Sequence, residues 1–141
     1  MTEIIVDAAD QILGRVGSRV VKEALKGVTV SIINSEKAVI SGDPEHTIRE
    51  YKVKVVRGDP YHGPFYPKSP ERIVKRTVRG MLPYKKTQGM EAFKRIKAYI
   101  SVPEEFVGKE TVKLKHTENN LKDKYITLGD LSLKLGAKKI W

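Results

Sequence analysis

The chain has 141 residues and a formal net charge of +10, from 27 Lys and Arg against 17 Asp and Glu. A chain of this length buries about 68–70% of its unfolded surface when it folds, which is enough for one hydrophobic core. Apolar residues make up 40% and charged residues 31%, which excludes a membrane-spanning chain and a typical disordered one. The absence of cysteine excludes disulfide scaffolds and thiolate metal sites. We therefore predict one domain over residues 1–141, in a cytoplasmic protein.

The first third of the chain alternates strand and helix patterns. The short apolar run Ile4–Val6 is typical of a buried strand. Apolar residues then recur at helical spacing over residues 11–26, with Asp10 as the expected N-cap and Gly27 at the expected end. A β-branched strand follows over residues 28–34. Strand, helix and strand within about thirty residues predict a βαβ unit with a parallel pair.

Caps, prolines and alternating patterns predict the later elements. They are a short apolar run at Ala38–Ile40, a helix from Asp43-Pro44, a helix from Ser69-Pro70 to about Met81, a helix from Thr87 to Phe93, strand patterns at Lys97–Val102 and around Val112 and Leu114, and a last helix capped by Thr127 and ended by Gly136. The stretch 57–68 holds Pro60, Pro64 and Pro67 among glycines, which predicts irregular backbone.

Most of the excess positive charge falls in residues 68–97. This segment holds ten basic and two acidic residues, a net charge of +8, whereas the other 111 residues carry only +2. The basic residues are Lys68, Arg72, Lys75, Arg76, Arg79, Lys85, Lys86, Lys94, Arg95 and Lys97. Such a concentration is typical of a chain that binds a polyanion, either a nucleic acid or an anionic membrane surface.

The helix predicted at residues 69–82 separates its cations from its apolar residues. Arg72, Lys75, Arg76 and Arg79 are spaced i, i+3, i+4 and i+7, so they share one face, and Val74, Thr77, Val78 and Met81 lie opposite. Like charges at these spacings destabilise a helix slightly, unless phosphates neutralise them. A solvated basic face is the alternative explanation. We favour phosphate binding because further cations follow the helix directly: Lys85, Lys86, Lys94, Arg95 and Lys97.

The irregular stretch adds aromatic side chains to this basic region. Tyr61, Phe65 and Tyr66 lie between prolines, and rings held in this way can stack on unpaired bases or sugars. The alternative is that they pack on their own domain. We predict a nucleic-acid-binding segment over residues 57–97. Its candidate contact residues are His62, Gly63, Tyr66, Lys68, Ser69, Arg72, Lys75, Arg76, Arg79, Lys85, Lys86, Lys94, Arg95 and Lys97.

Other classes of function lack their motifs. Gly14 and Gly17 do not form a nucleotide-binding glycine pattern, so we expect them to permit close packing of helix and strand. The basic segment has only Glu71 and Glu91 as acids, and the three histidines are scattered, so we predict no enzyme, no metal and no cofactor. The apolar face of the basic helix is too modest for insertion into a membrane.

Residues 76–83, RTVRGMLP, are similar to the signature of the ribosomal protein L13 family of the large ribosomal subunit. Further motifs of this sequence also resemble the family. They are Val6-Asp7-Ala8, Leu13-Gly14-Arg15, Val30 to Asn34, Ser41-Gly42, His62-Gly63-Pro64, Ser69-Pro70, Gly89 and Lys97-Ala98-Tyr99. The resemblance covers residues 3–103, and the stretch Thr127 to Gly136 is similar to archaeal members.

This resemblance implies a three-layer α/β/α fold around a small parallel or mixed sheet, with a C-terminal strand and helix segment at 104–141. It also implies a structural constituent that binds large-subunit rRNA, supports subunit assembly and lies beside other ribosomal proteins. No catalysis, cofactor, membrane or small-molecule substrate is implied. The alternative is a free-standing RNA-binding regulator or a ribosome assembly factor, since phosphate contacts look alike in both.

Overall fold

A computed structural model describes residues 2–119 and 124–141. The elements in chain order are β1 (Glu3–Asp7), α1 (Leu13–Leu25), β2 (Thr29–Ile33), a 3₁₀ helix (Ser35–Lys37), β3 (Val39–Ser41), α2 (Pro44–Val56), α3 (Pro70–Met81), α4 (Thr87–Arg95), β4 (Ile96–Ala98), a second 3₁₀ helix (Glu104–Phe106), β5 (Tyr125–Thr127) and α5 (Leu128–Leu135). The predicted C-terminal segment 104–141 includes residues 120–123, which lie outside the described residues.

The central sheet has three parallel strands in the order β1-β2-β4. Ile5 of β1 pairs with Ser31 of β2, and Val30 of β2 pairs with Ile96 of β4. The predicted βαβ unit is therefore confirmed. The central position of β2 explains its burial, because both faces of this strand are covered: Val30, Ser31, Ile32 and Ile33 are all buried. A separate antiparallel pair, β3 and β5, aligns Ile40 with Ile126.

The two faces of the central sheet carry different layers. Val30 and Ile32 belong to the main core together with buried residues of α1, α3 and α5. On the other face, Ile5 and Ile33 pack with Phe106 of the second 3₁₀ helix. The mixed α/β class is confirmed, and the layer on this second face is a short 3₁₀ segment.

The contact between α1 and α3 depends on a glycine. A Cβ atom on Gly17 would lie 3.1 Å from Sδ of Met81, so α3 packs closely over this point of α1. The close approach expected at Gly17 therefore occurs between two helices, whereas an approach between helix and strand was predicted. Gly14 has no atom within 4 Å of the place where its Cβ would lie. Its contact was predicted wrongly, because it lies on the exposed side of α1.

Side-chain caps explain where two of the helices begin. The Asp43 carboxylate accepts a hydrogen bond from the Glu45 amide at 3.3 Å, and the Thr127 hydroxyl accepts one from the Asp130 amide at 3.3 Å. Both were predicted. Asp10 does not cap α1, however. It has a φ of 58°, and Ile12 holds the N-cap position without a side-chain bond.

The strand predictions after α4 were only partly right. The strand expected at Lys97–Val102 is the shorter β4, because Ser101 has a φ of 53° and turns the chain away. The Val112 region contributes only an isolated bridge to Val6. The strand β5 was missed, since it has only three residues, the last of which is the Thr127 cap, and so short a run gives no visible alternation.

Candidate nucleic-acid interface

Helix α3 forms where the sequence predicted it and buries one side. Pro70 occupies the first turn, where its missing N–H costs nothing, and the helix ends at Met81, shortly before Pro83. Ile73, Val74 and Val78 are fully buried in the main core. Thr77 is partly buried and donates its hydroxyl proton to the Ile73 carbonyl at 2.9 Å. Met81 was expected in the core, but it is 39% exposed at the helix end.

The opposite side of α3 presents three arginines, which we call the arginine face: Arg72, Arg76 and Arg79. Arg72 and Arg76 are exposed, and Arg79 is partly buried. Within residues 2–119 and 124–141, no carboxylate oxygen lies within 4.0 Å of their guanidinium nitrogens. The face therefore carries an uncompensated positive charge, as the sequence predicted.

Lys75 does not belong to this face, although its spacing predicted that it would. Its ammonium group donates to the carbonyl oxygen of Phe93 at 3.2 Å and to that of Ile96, and it lies 3.9 Å from the centre of the Phe93 ring. Burial lowers the pKa of this ammonium below its ordinary value. The prediction of an outward charge was wrong because Lys75 is partly buried beside the surface of α3 that meets β4, and its long stem reaches the carbonyls at the end of α4.

Arg95 is also turned toward the protein. One guanidinium nitrogen donates to the Ala24 carbonyl at the end of α1 at 3.2 Å, and the other lies 3.9 Å from the Glu91 carboxylate. Both Lys75 and Arg95 therefore meet C-terminal ends of helices, where cations are favoured by the helix dipole. We call these two residues the anchoring cations.

Aromatic rings hold two members of the arginine face. The Arg76 guanidinium carbon lies 5.6 Å from the centre of the Tyr66 ring, and that of Arg79 lies 4.4 Å from the centre of the Tyr84 ring. Stacking of this kind stabilises a cation by about 0.5–1 kcal/mol at exposed sites. The arginines are therefore positioned on the surface and do not extend freely into solvent.

Helix α2 adds residues that the sequence did not reveal. Tyr51 meets Tyr66 edge to face with ring centres 5.8 Å apart, and the Lys54 ammonium lies 4.6 Å from the Tyr51 ring centre. Burial, and then the neighbouring Tyr66, raise the pKa of Tyr51 to about 12. Tyr51 and Lys54 are three residues apart on one helix, a spacing that signals a shared face but not contact with the loop. Tyr84 likewise had no sequence signal that would pair it with Arg79.

The segment between α2 and α3 is held in shape by a tight turn. The amide of Asp59 donates to the Gly63 carbonyl at 3.1 Å, and the amide of Gly63 donates to the Asp59 carbonyl at 2.9 Å. Gly58 has a φ of 100°, and a Cβ there would lie 2.4 Å from the Gly63 oxygen, so only glycine fits. The Asp59 carboxylate accepts from the Tyr61 amide and lies 3.2 Å from His62 Nδ1, and these contacts lower its pKa.

The other predicted contact residues are placed around α3. Ser69 holds its N-cap position, and its carbonyl accepts from the Ile73 amide at 3.0 Å. Gly89 is not one of them but shapes the turn that follows α3, because a Cβ there would be 2.0 Å from the Pro83 carbonyl oxygen. Gly63 and Tyr66 are partly buried in the preceding segment. The exposed members of the predicted set, besides two arginines, are His62, Lys68, Lys85, Lys86, Lys94 and Lys97.

This surface has the chemistry of a binding site for a polyanion. Among residues 2–119 and 124–141, no three His, Asp or Glu side chains are grouped in a way that could hold a metal ion. No helix in that part of the chain has both the length and the apolar character to cross a membrane. What the region does offer is guanidinium and ammonium groups next to exposed or partly exposed rings, which suits phosphates and unpaired bases.

Comparison with known proteins gives a consistent result. The family model of ribosomal protein L13 matches residues 1–105. Large ribosomal subunit protein uL13 of Methanosarcina barkeri is 45% identical over 137 residues, which span 95% of this chain and 98% of the relative. The protein of the same name from Haloarcula marismortui is 44% identical over 139 residues, 99% of this chain and 94% of the relative. That from Archaeoglobus fulgidus is 42% identical over 139 residues, 96% of this chain and 89% of the relative. The resemblance found in the sequence, including its archaeal character, is confirmed.

Proposed function

This chain belongs to the ribosomal protein L13 family, and we propose that it is a structural constituent of the large ribosomal subunit. Its partners are large-subunit rRNA and neighbouring ribosomal proteins, and its location is the ribosome in the cytoplasm. It acts as a rigid binding platform and not as an enzyme, without a membrane or small-molecule partner. The names of three relatives that align with nearly the whole chain support this assignment.

The arginine face is the observation that carries the RNA-binding part of the proposal. Three guanidinium groups on one side of a well-packed helix, without a carboxylate partner in the described parts of the chain, destabilise the isolated protein and favour an anionic partner. Exposed lysines before and after α3 in the chain extend this charge: Lys68, Lys85, Lys86, Lys94 and Lys97. His62, Gly63, Tyr66 and Ser69 complete the contact surface ahead of α3.

In this assignment the contacts are mostly to phosphates and sugars, and specificity comes from the shape of the RNA. Lys75 and Arg95 serve the interface indirectly, because their charged groups donate hydrogen bonds to main-chain carbonyls at helix ends. If about six to ten phosphates are contacted, affinity falls by about 10³–10⁵ between 50 and 200 mM salt, judged from the DNA case.

Sedimentation of cell lysate tests the proposal. The lysate is centrifuged through a sucrose gradient, the chain is detected by immunoblotting, and the run is repeated after a high-salt wash. We expect the chain to migrate with the large subunit and to remain there after the wash. Absence from that peak, or release at mild salt, would instead identify an assembly factor or a free RNA-binding regulator.

A further inference from the structure

We propose that a groove between α2, the 57–69 segment and α3 binds one unstacked RNA nucleotide, with its base against Phe65 and Tyr66 and its phosphate toward Arg76 and Arg79. The proposal rests on the RNA-binding function proposed above. It goes further by naming the RNA feature that is bound and by bringing α2 into the interface.

The groove has the size and lining of a ligand site. Its volume is about 500 Å³, and its lining includes Tyr51 and Lys54 of α2, Phe65 and Tyr66 of the segment, and Arg76 of α3. Small-molecule sites range over roughly 300–1,000 Å³. A second groove of about 160 Å³ shares Arg76 with the first and is completed by Arg79 and Tyr84. The two grooves therefore meet on the outer surface of α3.

Phe65 is the ring best placed to receive a base. Its side chain is 72% exposed, and no other aromatic ring in residues 2–119 and 124–141 packs against it. The ring lies against the backbone of Gly63, 3.2 Å from the place where a Cβ on that residue would be. An exposed ring held beside cations is the arrangement on which single-stranded nucleic acids stack. A base inside a duplex could not reach it.

The lining of both grooves is positively charged, which favours an anionic group attached to that base. Lys54, Arg57 and Arg76 line the larger groove, and no Asp or Glu lines either groove. Arg76 lies where the two grooves meet, so a phosphate there has a second guanidinium, that of Arg79, on the other side. A nucleotide combines a flat aromatic base, which suits the Phe65 end of this surface, with an anionic phosphate, which suits the arginine end.

Gly80 provides a way to block the groove without disturbing the fold. It lines both grooves, and nothing lies within 4 Å of the place where its Cβ would be. A side chain added there fits the folded protein and fills the space above α3. Leucine also has a higher helix propensity than glycine. Gly14 on α1 is a matched control, since it is helical and equally open but lies outside the groove.

Filter binding to transcribed large-subunit rRNA compares Gly80→Leu with Gly14→Leu. We expect Gly80→Leu to bind about 10- to 100-fold more weakly at an unchanged or higher Tm, and Gly14→Leu to bind like the wild type. Phe65→Ser is compared with Tyr61→Ser, because Tyr61 is 88% exposed in the same segment and does not line the groove. We expect a loss of about 5- to 100-fold for Phe65→Ser alone.

Cross-linking identifies what occupies the groove. The same rRNA carrying 4-thiouridine is irradiated in complex with the full chain, and the adducts are mapped by mass spectrometry. We expect a nucleotide on the peptide that contains Phe65 and Tyr66. Equal binding by Gly80→Leu and the wild type would overturn the proposal. Weaker binding by Gly80→Leu with no effect of Phe65→Ser would also overturn it, because the groove would then hold backbone only. If the wild type itself fails to bind rRNA, the proposed function fails with it.

Discussion

The arginine face and the anchoring cations come from the same basic segment, but they differ in what surrounds their charges. Arg72, Arg76 and Arg79 meet water and aromatic rings, whereas Lys75 and Arg95 donate to main-chain carbonyls at helix ends. The first group leaves its charge available to a partner. The second group uses its charge to hold α3, α4 and α1 together.

The difference teaches that spacing and sign are not enough to assign a cation to a binding surface. Lys75 has the correct helical spacing for the arginine face, yet its ammonium lies 3.9 Å from the Phe93 ring centre. A cation that can satisfy unpaired carbonyls at a helix end is stabilised there even in the absence of RNA. Three perturbations separate the two groups, and a fourth tests the surroundings of Lys75 against those of Tyr51.

The largest effect is expected from charge reversal of the arginine face. We expect the Arg72→Glu, Arg76→Glu, Arg79→Glu variant to lose rRNA binding, because three attractive contacts become repulsive, while its fold is retained. Filter binding and thermal unfolding measure the two properties. The triple variant of Lys134, Lys138 and Lys139 to Glu, all exposed, makes the same change in net charge and should still bind. Unfolding of the first variant would show that its arginines are needed for packing.

Removal of an anchoring cation should give the opposite pattern. We expect Lys75→Met to lower the free energy of unfolding by about 1–3 kcal/mol, because the carbonyls of Phe93 and Ile96 lose a charged donor. Urea denaturation measures this loss, and rRNA affinity of the folded variant should be unchanged. The exposed Lys94→Met is the control, with an expected change within about 0.5 kcal/mol. A variant of Lys75 that is stable but binds poorly would place Lys75 in the interface.

A smaller effect should appear in the salt dependence of binding. We expect Arg76→Gln to reduce the slope of log affinity against log salt by about one, as for the loss of one phosphate contact. Arg95→Gln should leave the slope unchanged and lower the free energy of unfolding by about 0.5–1.5 kcal/mol, since it loses the bond to Ala24. Equal slopes for the two variants would remove the distinction between the groups.

The smallest effect is expected from alkaline pH. The folded pKa of Tyr51 is raised from 10.0 to about 12, so the folded state keeps a proton that the unfolded state loses, and stability falls between these values. Folding lowers the pKa of Lys75 below 10.5, so with rising pH the folded state loses this proton before the unfolded state does. The contribution of Lys75 to the free energy of unfolding therefore rises with pH. Solvent screening should keep the Tyr51 contribution below about 1 kcal/mol. Urea denaturation between pH 9 and 12 gives the free energy of unfolding of the wild type, Tyr51→Phe and Lys75→Met. The difference between the wild type and each variant should change with pH in opposite directions for the two variants. Changes in the same direction would contradict these environments.

Local patterns predicted much of the fold because their causes are local. The helix at Pro70–Met81 and the caps at Asp43 and Thr127 depend on residues within four positions of each other. Asp10 failed as a cap because the bridge from Gln11 to Glu118, distant in sequence, fixes the chain on entry to α1. The strand β5 was missed because its partner β3 lies more than eighty residues away.

The candidate interface was predictable in composition but not in arrangement. The net charge of residues 68–97 was enough to locate the arginine face. The partners of that face were not predictable, because Tyr51 approaches Tyr66 only after the 57–69 segment folds back against α2. Inward orientation of Lys75 depends in the same way on where α4 ends. Charge is a property of the segment, whereas exposure is a property of the whole fold.

The stacking of Arg76 on Tyr66 and of Arg79 on Tyr84 also has an entropic consequence. A free arginine on a surface samples many rotamers, and a partner that immobilises one loses about 0.5–1.5 kcal/mol of binding free energy. Here much of that conformational freedom is given up when the protein folds. This loss of conformational entropy therefore lowers the free energy of unfolding and not the free energy of binding, so each phosphate contact contributes more to affinity.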